Sequence, residues 1–128
     1  MIELTAGAID NILNNKTVID PILQVVNTPY IDNHIGLQEF KIYVSDGIWG
    51  VQSIIAKEKV VQINSSNFKK FTIIKLTQFE TGMYDGKVAI IINDFETILL
   101  DFNGQIGKPK KYISQNRNES VIVWQLFT

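Results

Sequence analysis

The sequence predicts a mainly β protein: a small five-stranded sheet closed into a barrel, with a short N-terminal helix. Three observations carry that prediction. Phe40, Ile42 and Val44 alternate with Glu39, Lys41 and Tyr43, and Asp46-Gly47 then supply a turn before Trp49, Val51 and Ile55 return. Lys87–Ile92 is a nearly continuous apolar run suited to the centre of a sheet. Finally, 128 residues at 45% hydrophobic make one domain with a real core. Its strands are short, and closing them on one another removes exposed edges.

Taken in order, Thr5 is placed to N-cap a helix running to about Leu13, with Ile9, Ile12 and Leu13 as its apolar stripe. At two to three turns it must dock on the sheet to persist. Pro21 opens a strand over Ile22–Asn27, in which Leu23 and Val25 face one way and Gln24 and Val26 the other. Tyr30–Gly36 reads as a polar loop. Gly50 marks a bulge or a sharp coil in the return strand of the Asp46-Gly47 hairpin. Lys57–Ile63 fits a helical turn or a strand continuation.

Phe71 to Phe79 is a strand with Phe71, Ile73, Lys75, Thr77 and Phe79 on one face. A looser turn over Glu80–Gly86 leads into Lys87–Ile92, and Asn93-Asp94 interrupts that strand. Phe95–Phe102 suits a last strand or a short helix equally. Val121–Phe127 is apolar again, and so hydrophobic a tail is expected to add a strand or to pack on the sheet, in this molecule or a neighbour. Five or six strands with one or two short helices fit an oligonucleotide/oligosaccharide-binding (OB-fold) barrel with an added C-terminal strand. An open sheet with a packed helix is the physical competitor.

Composition narrows the chemistry. The absence of cysteine removes disulfides, thiolate zinc sites and a cysteine nucleophile, and a lone His34 excludes a multi-histidine metal site. No run approaches the roughly eighteen apolar residues of a membrane span, and no signal segment opens the chain. A soluble intracellular protein with no membrane partner is the expectation. A formal charge of −1 argues against bulk electrostatic binding of nucleic acid, which takes about six to ten phosphate contacts, but leaves room for a local basic groove.

No phosphate loop, dinucleotide fingerprint, nucleophile elbow or spaced ligand set is present, so neither catalysis nor a cofactor or metal is expected. Asp46, Asp85 and Asp94 read as turn residues, and His34 as a solvated loop residue. Lys41 and Lys87 are the more informative positions, since both can line one concave face of a barrel with Tyr43 and Tyr84 beside them. Such a groove would accept an amphipathic acidic helix. The plain alternative is scattered solvent-facing lysines, and Glu39 beside Lys41 weakens the field. For single-stranded nucleic acid, Tyr43, Phe79 and Trp49 are the available stacking platforms, with Trp49 better suited to the core. Lys110 and Lys111, in the cluster Lys108-Pro109-Lys110-Lys111, could touch phosphate, form part of a targeting signal or solubilise a linker.

The chain resembles the N-terminal domain of the replication protein A large subunit, or of its telomerase-associated paralogues. The resemblance rests on Leu4-Thr5-Ala6-Gly7-Ala8-Ile9, Ile22–Asn27, Tyr43-Val44-Ser45-Asp46-Gly47, Ser65-Ser66-Asn67, Asp85-Gly86-Lys87-Val88 and Ile106-Gly107-Lys108-Pro109. It runs over residues 4–112, so residues 1–112 are expected to be the OB-fold interaction domain. Residues 113–128 would be a linker or an additional strand packing on the barrel or a neighbour.

The resemblance implies a nuclear, non-catalytic recruitment module of a single-stranded-DNA-binding complex, acting in replication, repair or telomere maintenance. Its cleft would take acidic or amphipathic segments of partner proteins, among other subunits of a heterotrimer, while other domains of a longer chain bind DNA. Lys41 and Lys87 match basic cleft positions of that family. Thr28, Glu39, Tyr84 and Val88 stand about where the family has further basic residues. That departure implies a changed partner, a more apolar cleft or an architectural role. Weak DNA binding, and structural docking or oligomerisation through the tail, are the alternative functions.

Overall fold

A computed structural model describes residues 3–27, 30–32, 39–56, 59, 69–100 and 102–113, with the backbone alone at 30–32 and 39. Among them are one helix, α1 (Ala8–Leu13), and seven strands. These are β1 (Ile22–Val25), β2 (Tyr30–Asp32), β3 (Glu39–Ser45), β4 (Trp49–Ile55), β5 (Ile73–Tyr84), β6 (Lys87–Leu99) and β7 (Lys110–Lys111).

Five strands close a ring. β1 lies antiparallel between β3 and β5, β5 is antiparallel to β6, β6 runs parallel to β4, and β4 returns antiparallel to β3. That ring order, with its one parallel rung, is an OB-fold barrel, and it disposes of the open-sheet alternative. β2 extends the free part of β3, pairing Tyr30 with Lys41. β7 lies beside the first half of β4, pairing Trp49 with Lys110. It is thus an extra strand outside the ring. The apolar run Val121–Phe127, expected to add a strand, lies outside the described residues, as does most of Lys57–Ile63.

The alternation read from the sequence fills the barrel. Leu23, Val25, Phe40, Ile42, Val44, Val51, Ile55, Ile74, Leu76, Ile90 and Ile92 are all buried in one cluster with Ala8, Ile9 and Ile12 of the helix. Burying an aliphatic side chain contributes roughly 1.5–3 kcal/mol, so the inward faces of the strands hold the fold together.

Several local expectations are corrected. The helix starts at Ala8, with Gly7 (φ 81°) as its N-cap. Thr5 instead accepts the Ile22 N–H on its Oγ1 at 2.8 Å, fastening the N-terminal segment to β1. The cap arrives from 37 residues away: Asp46 Oδ2 accepts the Ile9 N–H at 2.9 Å in a buried bond. Tyr30–Asp32 is a strand rather than loop, because β3 offers it a free edge.

Glu80–Tyr84 continues β5, so the turn shrinks to Asp85-Gly86, both with positive φ (55° and 77°). β6 carries on through Asn93-Asp94 to Leu99, excluding a helix at Phe95. Register shifts on either side of Gln78 reverse the alternation of β5 and turn Phe79 toward the core rather than to the face of Ile73. Asp94 is therefore a strand residue. Lys59 Nζ lies 2.7 Å from its carboxylate and holds it below the usual carboxylate range. Gly50 pairs regularly with Ser45, so it is no bulge. A Cβ there would meet the Tyr43 ring at 2.9 Å, and the missing side chain makes space for that ring.

Candidate functional site

The hairpin β3–β4 turns at Asp46, and the outward residues of β3 are Lys41 and Tyr43, both half-buried. They form one wall of a cleft of about 530 Å³. Val51 and Gln52 of β4 contribute its floor. Gly86, Lys87 and Val88, at the tip of the β5–β6 hairpin, form the facing wall, and Lys111, Tyr112 and Ile113 close the rim. Lys41, Lys87 and Lys111 are its charged lining residues, so the cleft is cationic over an aliphatic and aromatic floor.

Each wall is held by identifiable bonds. Asn27 Oδ1 accepts the Tyr43 N–H at 2.8 Å, and the Tyr43 hydroxyl donates to the Gly50 carbonyl at 3.3 Å. Burial pushes that hydroxyl above its ordinary pKa of 10.0, so it keeps its proton further into the alkaline range. Lys41 Nζ sits 4.9 Å from the centroid of the Tyr84 ring, a cation–π contact that ties β3 to the hairpin tip. Gln52 Nε2 donates to the carbonyls of Tyr84, Lys87 and Val88 at 2.9, 3.3 and 3.2 Å. At the rim, Tyr112 is buried against the core and meets Trp49 edge-on, with ring centroids 5.3 Å apart. Its hydroxyl donates to Asp10 Oδ1 of α1 at 2.8 Å.

The structure thus brings Lys41, Tyr43, Lys87 and Val88 to one cleft, with Tyr84 stacked under Lys41. Of the residues considered for nucleic-acid contact, Lys111 joins the cleft. Lys110 is exposed outside it, and Phe79 packs against the core. Trp49 packs against the core as expected. Thr28, His34 and the Glu39 side chain lie outside the described residues.

Gln52 escaped the sequence reading. Lys111 reads from sequence as a phosphate contact, part of a targeting signal or a linker residue rather than as part of this cleft, because nothing local announces its pairing with Gly50. Gln52 interrupts the apolar run of β4, and that interruption was the available signal. Among the described residues no group of three His, Asp or Glu could hold a metal ion.

Ring order and cleft together define the class: an OB-fold domain carrying a cationic groove at the junction of two hairpins. Sequence comparison then gives the particular family. Residues 4–99 match the family described as replication factor-A protein 1, N-terminal domain, and the chain belongs to it.

The chain is 28% identical over 116 residues to a replication protein A 70 kDa DNA-binding subunit of Danio rerio, covering 88% of this chain and 19% of that protein. With the protein of the same name from Gallus gallus it shares 25% over 115 residues, 87% of this chain and 19% of the relative. With a further 70 kDa DNA-binding relative of the same kind, from Arabidopsis thaliana, it shares 24% over 110 residues, 84% and 17%. The chain spans about a fifth of the length of these relatives, which are named as DNA-binding subunits rather than enzymes.

Proposed function

We propose that this chain is a non-catalytic recruitment module of a single-stranded-DNA-binding complex that acts in the nucleus in replication, repair or telomere maintenance. Its cleft binds acidic amphipathic segments of partner proteins, while DNA is held mainly by other domains of a longer chain and its companion subunits. Residues 1–112 are the interaction domain, and 113–128 are a linker or an additional strand that packs on the barrel or a neighbour. Family membership supports the setting. The carrying observation for the site is one cleft lined by Lys41, Lys87 and Lys111 over Val51, Val88 and Tyr43. Cations steer an acidic segment in, and the apolar floor receives its hydrophobic face.

The test is a titration of the isotope-labelled chain with a synthetic acidic amphipathic peptide of about 15 residues, long enough for a few helical turns. Amide shifts are expected at Lys41–Tyr43, Val51–Gln52, Gly86–Val88 and Lys111. Lys41→Glu and Lys87→Glu should each weaken binding about tenfold with folding intact. Unchanged affinity in both variants overturns the site.

Weak binding of single-stranded DNA is the second reading, favoured by three lysines beside Tyr43 and Tyr84. Against it, Lys41 already occupies the Tyr84 ring, and the Tyr43 ring fills the space above Gly50. Salt-dependent fluorescence anisotropy with a labelled oligonucleotide would support this reading, and no association at low salt removes it.

A further inference from the structure

The cleft sits at a fork in the barrel. β6 runs beside β4 only where Ser53–Ile55 pair with Ile90–Ile92. The preceding half of β4 pairs instead with β7, at Trp49 and Gly50. Lys87 and Val88 of β6, with the turn before them, therefore project beyond the last β4–β6 rung, where a continuing ladder would have supplied backbone N–H donors to β6. At the fork stands Gln52, only 8% exposed, whose Nε2 reaches the carbonyls of Tyr84, Lys87 and Val88. Three acceptors on that side fix the orientation of the amide, since only its nitrogen end can donate.

The same molecule uses the device once more. Fully buried Gln24 donates to the carbonyls of Gly104 and Phe71 at 2.8 and 3.3 Å and accepts the Ile106 N–H at 2.8 Å, holding an irregular segment with no ladder of its own.

We propose that Gln52 is the positioning residue of the cleft. Its amide stands in for the ladder that β6 loses where it leaves β4, reaches the end of β5 at Tyr84 as well, and so fixes the hairpin tip with Lys87 and the Tyr84 ring beside Lys41. Two hydrogen-bonded residues at the turn hold the tip to itself, but Gln52 holds it to the barrel. Without that link the tip keeps its hairpin and loses its place. The spacing of the cleft walls, and with it the choice of ligand, then depends on a side chain that carries no charge.

The inference rests on the peptide-binding reading for one of its two tests only. In the unliganded chain, Gln52→Leu should raise amide hydrogen exchange at Tyr84–Val88 about tenfold relative to the native chain, with Ile90–Ile92 unchanged. Equal protection at the tip overturns the proposal. Gln52→Met, unbranched and close in length, keeps this test available if the leucine variant does not fold.

The second test is a double-mutant cycle with the same acidic peptide. Lys87→Gln should weaken binding in the native background and cost at least about threefold less in the Gln52→Leu background, because Lys87 is then already misplaced. Strictly additive losses overturn the positioning role. If the native chain binds no such peptide, the proposed function fails, and hydrogen exchange alone decides the role of Gln52.

Discussion

The chain contains two Asp-Gly hairpin turns that look alike in sequence and are opposites in the folded molecule. Asp46-Gly47 is sealed in. Asp46 is 1% exposed, and its carboxylate accepts from Ile48 and Trp49 within the turn and from Ile9 at the head of α1. Only its glycine takes positive φ, at 95°. Asp85-Gly86 projects into solvent, with both residues at positive φ and forming a tight reversal between β5 and β6. One turn joins helix, hairpin and C-terminal segment into a single body, while the other offers a wall to a ligand. The dipeptide specifies a reversal of the chain, and the surroundings decide whether that reversal is architecture or surface.

The contrast can be tested at both turns. The largest effect is expected from Asp46→Ala, which strips acceptors from three N–H groups, one of them fully buried. A loss of about 3 kcal/mol is expected from bonds of this kind. Chemical denaturation measures it, and a loss below about 1 kcal/mol would mean that the cap to α1 is dispensable.

Next comes Gly107→Ala. Gly107 has φ 74°, and a Cβ there would lie 2.5 Å from the Gly47 carbonyl oxygen. Strain and the forced shift of backbone should together cost about 2 kcal/mol by the same measurement. A neutral result would show that the segment after Gly104 slides freely over the buried turn.

The smallest effect is expected at the exposed turn. Asp85→Asn, which keeps a residue tolerant of left-handed backbone, should change stability by less than about 0.5 kcal/mol. It also removes a negative charge beside the cleft, so an acidic peptide should bind modestly tighter. The net attraction then grows, and isothermal titration should show a steeper salt dependence. Any large destabilisation there would erase the distinction between the two turns.

Much of the barrel was legible because alternation is a local property. Phe40, Ile42 and Val44 go inward as a set, so Lys41 and Tyr43 must go outward, and a cleft wall could be read from the residues themselves. The same logic failed at Phe79, because a bulge shifts the phase of a strand without leaving a mark in its composition. It failed too at Tyr30–Asp32, where a short polar stretch becomes a strand only because β3 has an edge to offer. The position of Lys87 just after Asp85-Gly86 put it on the same concave face as Lys41, and resemblance to the replication protein A domain matched both to cleft positions. Nothing near Lys111 suggested that it would join them.

By itself, then, the sequence determined most of the buried faces, the two Asp-Gly reversals and that the folded unit has one core. Each of these depends on neighbours within a few residues. Tertiary structure alone decided that Asp46 would cap a helix 37 residues upstream, that Gln52 would bridge the fork between β4 and β6, and that Lys111 would close the rim. Those contacts join segments distant along the chain, and a polar group finds its partner only after the apolar faces have brought the two together.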